Sequence, residues 1–206
     1  GIQFLFKKNN ITVINGFGKL KDNHTVTVTG TDGTTAEYSA SHIILATGAR
    51  SRELPSLKQD GVKVIGYRQA LTLPKQPASM VVVGSGAIGS EFAYFYNAIG
   101  TKVTLVEYLP NIVPLEDEEV SKTLERAFKK AGITVKTEAS VESVDTSGEL
   151  CKVSIQTKKG VEIVEAEIVL SAVGITPNIE NIGLEELGIV VEKGRVKVDE
   201  FFRTNV

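Results

Sequence analysis

The chain has 206 residues, of which 42% are hydrophobic and 23% are charged, and its formal net charge is −2. This composition is typical of a globular protein with a sizeable core, and it gives no support to nucleic-acid binding. No apolar stretch approaches the roughly 18 residues that a membrane helix needs, and the N-terminus has no signal-peptide pattern. Cys151 is the single cysteine, which rules out a disulfide within the chain. These features predict a cytoplasmic protein with no nucleic-acid or membrane partner.

The first part of the chain resembles a later part. Residues 6–13 (FKKNNITV) match residues 128–135 (FKKAGITV), and residues 43–48 (IILATG) match residues 169–174 (VLSAVG). Two matches in the same order and at similar spacing indicate an internal repeat.

Both copies contain alternating segments that flank a turn. These segments are residues 25–29 and 34–38 in the first copy, and residues 152–157 and 161–165 in the second. Alternation of this kind predicts a three-stranded antiparallel meander in each copy.

A glycine-rich turn follows a predicted buried strand in the middle of the chain. The strand is Val81 to Val83, and the turn has the sequence Gly84, Ser85, Gly86, Ala87, Ile88, Gly89. The first glycine permits a tight turn, the second lets a pyrophosphate approach the backbone, and the third lets a helix pack closely on the sheet. The phosphates of a dinucleotide would then bind the N–H groups at the helix N-terminus.

The residues after the turn have the periodicity of a helix. Apolar residues recur at Ile88, Phe92, Phe95 and Ile99, which predicts that they share one buried face, and Gly100 is a helix stop signal. A strand is predicted next, ending at Glu107. This acid follows Gly89 by about 18 residues, close to the roughly 20 expected before the acid that binds the ribose of NAD.

Glu107 also favours NAD over NADP. A carboxylate accepts hydrogen bonds from ribose hydroxyls but repels a 2′-phosphate, and no arginine follows it at positions 108–110. The alternative is a glycine turn in some other α/β protein, with a surface glutamate at this position by chance.

A second helix is predicted from about residue 116 to residue 130. Acidic residues fill its first turn and lysines its last, which suits the helix dipole. Its predicted buried stripe is Val120, Leu124, Ala127 and Ala131. The first copy of the repeat begins inside the equivalent of this helix, so its own glycine turn is expected upstream of Gly1. The chain is therefore predicted to be the middle of a longer protein with two dinucleotide-binding folds.

Several motifs resemble those of the flavin-dependent pyridine-nucleotide:disulfide oxidoreductases, and the resemblance covers essentially the whole chain. The motifs are residues 15–18 (NGFG), 46–49 (ATGA) with Pro55 after them, 84–91, 106–107, 174–178 and 183–188 (GLEELG). Family members often have arginine after the glycine of residue 174, where this chain has Ile175.

The resemblance implies a set of cofactor-binding residues. For NAD these are Gly84, Ser85, Gly86, Ala87, Ile88, Gly89, Glu91, Glu107, Val141 and Gly174, and for FAD they are Phe17, Gly18, Thr47, Gly48 and Ala49. Glu91 would lie near the nicotinamide and the flavin, although an acid that stabilises the first turn of its own helix is the alternative.

The implied fold is α/β and Rossmann-like, with a central parallel sheet and a meander, preceded by part of a second copy. The implied domains are residues 1–70 (partial FAD-binding), 71–185 (NAD-binding) and 186–206 (a return towards the FAD-binding domain).

The resemblance also implies a reaction for the parent protein. Dihydrolipoamide, carried on the acyltransferase of a 2-oxoacid dehydrogenase complex, would be oxidised and NAD reduced, through FAD and a redox disulfide in a homodimer. The redox cysteines are expected upstream of Gly1, and the FAD-binding Gly-Asp motif and catalytic His–Glu pair after Val206. The chain itself is expected to hold no catalytic residue and no metal, and to be inactive.

Three residues that could suggest chemistry are assigned structural roles. His24 and His42 do not match the family's base and are expected to be solvated or hydrogen-bonded, and Cys151 is expected to be a packing residue.

Two alternatives to the dihydrolipoamide reaction remain open from the sequence. One is an NADH oxidase or peroxidase of the same family, and the other is a nucleotide-sensing module without turnover.

Overall fold

The computed structural model describes residues 1–206 and divides into two compact units. The first unit comprises Gly1–Ala49 and Pro177–Val206, and the second comprises Arg50–Thr176. The four helices are α1 (Ile2–Lys8), α2 (Tyr67–Ala70), α3 (Ala87–Ala98) and α4 (Glu118–Lys130). The strands are β1 (Phe17–Asp22), β2 (Thr25–Thr29), β3 (Thr35–Ser39), β4 (Ala49–Ser51), β5 (Val64–Ile65), β6 (Ser79–Val83), β7 (Lys102–Val106), β8 (Thr134–Lys136), β9 (Ser140–Asp145), β10 (Cys151–Thr157), β11 (Gly160–Ala166), β12 (Ile168–Ser171), β13 (Ile175–Pro177), β14 (Val191–Glu192) and β15 (Arg195–Val196).

A five-stranded parallel sheet forms the centre of the second unit, with the strand order β5-β12-β6-β7-β8. Two of the inner strands, β6 and β12, are rich in valine, leucine and isoleucine and are almost wholly buried. Runs of this kind are typical of parallel strands whose two faces are both covered.

Each face of the sheet packs against a different layer. Helices α3 and α4 contribute Ala93, Tyr96 and Phe128 to a hydrophobic cluster on one face. On the other face lies a three-stranded antiparallel meander of β9, β10 and β11, which contributes Val153 and Ile155 to a second cluster. The prediction of a parallel sheet with a meander is confirmed.

The buried face of α3 differs from the predicted one. Gly89, Ala93 and Tyr96 are buried, whereas Phe95 is 52% exposed and Ile99 is 44% exposed. The predicted face is therefore wrong at Phe95 and Ile99, whereas Phe92, another predicted member, packs against the core cluster. At Gly89 the helix backbone lies against the Gly84 carbonyl, just after β6, and the Tyr96 hydroxyl donates a hydrogen bond to the Ala70 carbonyl at 2.5 Å. These two contacts fix the rotation of the helix about its axis.

The packed face of α4 also differs from the prediction. The helix begins at Glu118 rather than at residue 116, because the Asp117 carboxylate caps it by accepting a hydrogen bond from Glu119 N at 2.8 Å. Ser121 and Phe128 are buried and Leu124 is partly buried, whereas Val120 is exposed. Ala127 and Ala131 are exposed as well, so the predicted stripe is correct only at Leu124. The Phe128 ring, the largest apolar group on α4, determines which face packs.

The first unit contains a second antiparallel meander, β1-β2-β3, and a small core of Leu20, Ile182, Leu184 and Ile189. Residues 43–48 match β12 in sequence but form no strand. In the second unit β12 hydrogen-bonds to β5 and β6, whereas the first unit has no parallel sheet to supply such neighbours. Strand formation here depends on partners rather than on local sequence.

The single cysteine and the two histidines lie in different environments. Cys151 is fully buried among the apolar residues of the second cluster, and burial raises the pKa of its thiol. It is a packing residue, as predicted. His24 and His42 are exposed.

The chain crosses between the two units at residues 49–50 and 176–177. The domain limits at residues 70 and 185 remain predictions about the parent protein. None of the helices is both long enough and apolar enough to span a membrane.

The burial of α4 gives a direct test of the packing. Replacing Phe128, which is 5% exposed, by alanine is expected to lower the free energy of unfolding by about 3–5 kcal/mol. The matched change Phe95→Ala removes a ring that is half exposed, and its loss is expected to stay below about 1.5 kcal/mol. Urea denaturation followed by circular dichroism measures both free energies of unfolding. Equal losses in the two variants would contradict the assignment of Phe128 to a packed face and of Phe95 to an exposed one.

Candidate functional site

The glycine turn and Glu107 lie at the same edge of the parallel sheet. Gly84 follows β6 directly and Glu107 follows β7 directly, and these two strands are hydrogen-bonded neighbours. The carboxyl ends of adjacent parallel strands meet at one edge, and in open α/β sheets ligands bind in the crevice outside that edge. The sequence pattern therefore brings its main elements together in space.

Gly84 turns the chain sharply away from β6. Its φ is +95°, and a Cβ atom at this position would lie 2.5 Å from the Ala172 carbonyl oxygen. Its N–H donates a hydrogen bond to the Val106 carbonyl at 2.8 Å. Only glycine combines this backbone conformation with such a close neighbour.

Gly86 leaves the N-terminus of α3 open. A Cβ atom here would meet no other atom within 4 Å, and no side chain caps the helix. The N–H groups of the first helical residues, Ala87 to Gly89, have no partner within the helix, and they carry its positive dipole end. Gly86 and Ala87 are exposed. This start of a helix is suited to an anion that approaches the backbone closely.

Gly89 allows α3 to pack against the end of β6. A Cβ atom on Gly89 would collide with the Gly84 carbonyl oxygen and would lie 3.2 Å from the Ala172 Cβ. Any larger residue would therefore push the helix away from the sheet. Gly84 and Gly89 thus have the turn and packing roles that the sequence predicts for them, and Gly86 leaves the open space that its predicted role requires.

The Glu107 side chain is directed towards the glycine turn. It is 8% exposed, and its Oε2 accepts hydrogen bonds from Ser85 N at 2.8 Å and from Ser85 Oγ at 2.6 Å. Its Oε1 accepts a hydrogen bond from Leu109 N at 2.8 Å. The glycine pattern predicts the turn. The bond of the Ser85 hydroxyl joins the segments that follow β6 and β7, and it has no local sequence signal.

The other predicted NAD residues lie on the second unit as well. Gly174 has a φ of +109° and open space at its Cβ position, and it comes three residues after β12, which neighbours β6. Val141 is partly buried on β9 opposite Ile155. Glu91 is exposed, and because α3 begins at Ala87 it lies beyond the first turn. The alternative in which Glu91 stabilises that first turn is therefore wrong.

The predicted FAD residues lie on the first unit. Phe17 and Gly18 begin β1, and Phe17 is 54% exposed. Gly48 has a φ of +73°, and its carbonyl accepts a hydrogen bond from Asn178 N at 3.0 Å. The Asn178 amide also donates to the Thr47 carbonyl at 3.1 Å, and Ala49 is the last residue of the segment.

A cavity of about 710 Å³ in the second unit does not coincide with the predicted dinucleotide site. Its lining includes Arg50, Arg52, Arg68 and Glu53, and none of the predicted dinucleotide residues. These charged side chains are exposed, which is typical of a solvated surface.

Comparison with known proteins places the chain in a family. The family model described as pyridine nucleotide-disulphide oxidoreductase matches residues 1–206. The chain belongs to the pyridine nucleotide-disulphide oxidoreductase family. The resemblance inferred from the motifs is confirmed.

Curated relatives in this family include dihydrolipoyl dehydrogenases. The chain is 41% identical to the enzyme of Zymomonas mobilis over 207 residues, which is 100% of this chain and 44% of that protein. It is also 41% identical to the enzyme of Chlorobaculum parvum, with the same coverage of each chain. The chain thus spans less than half the length of these relatives.

Solved structures of related proteins show the same fold. LpdA from Mycobacterium tuberculosis is 33% identical and superposes with a TM-score of 0.88 over 99% of this chain and 45% of that chain. The HOCl-induced flavoprotein disulfide reductase RclA from Escherichia coli is 25% identical, with a TM-score of 0.82 over 99% of this chain and 47% of that chain.

Two glycines of the turn provide a matched pair for testing the packing. Gly89→Ala is expected to destabilise the chain by about 1–3 kcal/mol, because the added Cβ collides with the Gly84 carbonyl. Gly86→Ala adds a Cβ in open space at a φ of −62°, so its effect is expected to stay within about 0.5 kcal/mol. Thermal denaturation measures the loss of stability in both variants. An equal loss in the two, or a larger loss in Gly86→Ala, would contradict the close approach of α3 to the Gly84 carbonyl.

Proposed function

We propose that this chain binds NAD(H) at the carboxyl edge of its parallel sheet, as the nucleotide-binding middle of a flavin-dependent disulfide oxidoreductase. The observation that carries the proposal is the meeting of an uncapped helix start with a buried carboxylate from the next strand. The first suits a diphosphate and the second suits the hydroxyls of a sugar, and a dinucleotide has both.

The diphosphate of NAD fits the start of α3. The N–H groups of Ala87, Ile88 and Gly89 would donate to its oxygens, and the turn through Gly84 and Ser85 would hold them in place. The open space at the Gly86 Cβ position supports this role, because a side chain there would obstruct the phosphates. The free N–H groups and the helix dipole both favour the negative charge.

The adenosine ribose fits beside Glu107, whose carboxylate would accept a hydrogen bond from a ribose hydroxyl. The next three residues, Tyr108 to Pro110, include no cation that could bind a 2′-phosphate. A phosphate at that place would meet the Glu107 charge without compensation, so NAD is preferred to NADP.

We further propose roles for the residues that lie beyond the diphosphate site. Val141 would pack near the adenine, and Gly174 would leave room for the nicotinamide half. Glu91 would lie near the nicotinamide and the flavin. The position of Gly174 close to the sheet edge and its open Cβ space support its role.

FAD would be held partly by the first unit. Phe17 and Gly18 would pass near its adenine, and Thr47, Gly48 and Ala49 would lie along its pyrophosphate and ribose. The hydrogen bonds from Asn178 to residues 47 and 48 support a defined backbone at this segment.

The whole protein is proposed to oxidise dihydrolipoamide and to reduce NAD. Support comes from the 41% identity to dihydrolipoyl dehydrogenases along the entire chain. When bound, FAD and NAD supply the electron-transfer chemistry, and the residues of this chain bind and orient them and select NAD. By the same proposal the parent is a cytoplasmic homodimer that acts on dihydrolipoamide carried by an acyltransferase.

The coding sequence upstream of Gly1 separates this function from its alternatives. Two cysteines four residues apart would support a dithiol substrate. A single reactive cysteine there would favour an oxidase or peroxidase, and the absence of cysteine would favour a nucleotide-sensing module.

Replacing Glu107 by alanine tests the choice of nucleotide. Loss of a charge-assisted hydrogen bond is expected to weaken NADH binding by about tenfold or more, since such bonds contribute roughly 1.5–3 kcal/mol. NADPH binding is expected to remain equal or to improve, because a repulsive charge is removed. Titrations that follow NADH and NADPH fluorescence measure both constants.

The control is Glu165→Ala, which removes an exposed glutamate from β11 and is expected to change neither constant. Unchanged NADH affinity in the Glu107 variant would remove its proposed role. Tighter binding of NADPH than of NADH by the unaltered chain would overturn the choice of NAD.

A further inference from the structure

Ser85 is a fully buried polar residue in the middle of the glycine turn. A buried hydroxyl without a hydrogen-bond partner is costly, and here the partner is a carboxylate rather than the backbone. Ser85 Oγ donates to Glu107 Oε2 at 2.6 Å, and Ser85 N donates to the same oxygen at 2.8 Å. Hydrogen bonds to a charged acceptor at such distances are among the strong ones in proteins.

These bonds limit what Glu107 can offer a ligand. An ionised carboxylate has about four acceptor positions, two on each oxygen. Ser85 fills both positions on Oε2, and Leu109 N fills one on Oε1 at 2.8 Å. The remaining position is on Oε1. A ribose can therefore use one oxygen of Glu107 rather than both.

We propose that Ser85 is a positioning residue that sets nucleotide specificity by holding the Glu107 carboxylate against the glycine turn. This role rests on the NAD-binding function proposed above. The Ser85 side chain needs no contact with the nucleotide. It keeps Oε1 available to a single ribose hydroxyl and keeps the negative charge where it opposes a 2′-phosphate. Without the hydroxyl, the carboxylate is held to the turn by one hydrogen bond instead of two, and the side chain gains freedom to turn away.

Ser90 provides a matched control. It is also buried, at 6% exposure, and its Oγ donates to the Ser85 carbonyl at 2.9 Å. Replacing it by alanine removes a buried serine hydroxyl that α3 directs at the same turn, but it leaves every hydrogen bond to Glu107 in place. A general loosening of the turn would affect the two serine variants alike.

The test compares NADH and NADPH affinities in the 206-residue chain and in its Ser85→Ala, Ser90→Ala, Glu107→Ala and Ser85→Ala/Glu107→Ala variants. Ser85→Ala is expected to weaken NADH binding about fivefold to tenfold, less than Glu107→Ala, because the carboxylate remains and is still held by Ser85 N. Its preference for NADH over NADPH is expected to fall by a similar factor. Ser90→Ala is expected to leave that preference unchanged. In the Glu107→Ala background, adding Ser85→Ala is expected to cause no further change in the preference for NADH over NADPH.

The outcomes separate this role from the proposed function. If the unaltered chain prefers NADH and Glu107→Ala loses this preference while Ser85→Ala retains it, the Ser85 role is overturned and NAD binding stands. An effect of Ser85→Ala that persists without Glu107 also overturns the role, since Ser85 would then act independently. Failure of the unaltered chain to bind either nucleotide overturns both proposals. Ser85→Gly, checked by circular dichroism, replaces Ser85→Ala if the latter does not fold, and the same outcomes apply.

Discussion

The close approach of α3 to the end of β6 is the constraint on which the rest of the site depends. At Gly89 the helix passes so near the Gly84 carbonyl oxygen that no Cβ atom can be accommodated. This contact places the open N-terminus of α3 at the carboxyl edge of the sheet. It also fixes the rotation of the helix, so that Ala93 and Tyr96 face the core and Phe95 faces outwards. The position of the open helix N-terminus and the choice of the packed face of α3 thus have the same physical cause.

Glu107 is part of the same arrangement rather than an independent surface group. Its carboxylate is bound to the glycine turn through Ser85 and to its own loop through Leu109. The sites proposed for the diphosphate and the ribose are therefore held to one another by hydrogen bonds and by the pairing of β6 with β7. Binding to such a preformed edge requires little ordering of the protein, which reduces the entropic cost of association.

Much of the second unit could be predicted from the sequence because its signals are local. The valines of β6 and the spacing of the three glycines predicted the strand, the turn and the start of α3. The alternating segments predicted the meander, and the acidic first turn and basic last turn of α4 were confirmed. Each of these signals depends on the conformational preferences of a few neighbouring residues.

The features that could not be predicted depend on distant partners. Apolar residues surround most of α3, so periodicity alone does not distinguish its packed face from its exposed one. In α4 the apolar residues lie on one side, but the packed face is centred on Ser121 and Phe128 rather than on Val120 and Ala127. The packed face of α3 includes Gly89 and Ala93, small residues that are selected by close approach rather than by hydrophobicity. Residues 43–48 have the sequence of a strand but lack parallel neighbours in their unit. The bond between Ser85 and Glu107 joins residues that follow two different strands, and no local pattern predicts it.

In the proposed site, the backbone at the start of α3 binds the diphosphate of NAD. Backbone amide chemical shifts of the ¹⁵N-labelled chain during titration with NADH report on this binding. The largest shifts are expected at Ala87, Ile88 and Gly89, with further shifts at Ser85 and Leu109, whose N–H groups bind the Glu107 carboxylate. Large shifts elsewhere, with these amides unchanged at saturating NADH, would contradict this binding of the diphosphate.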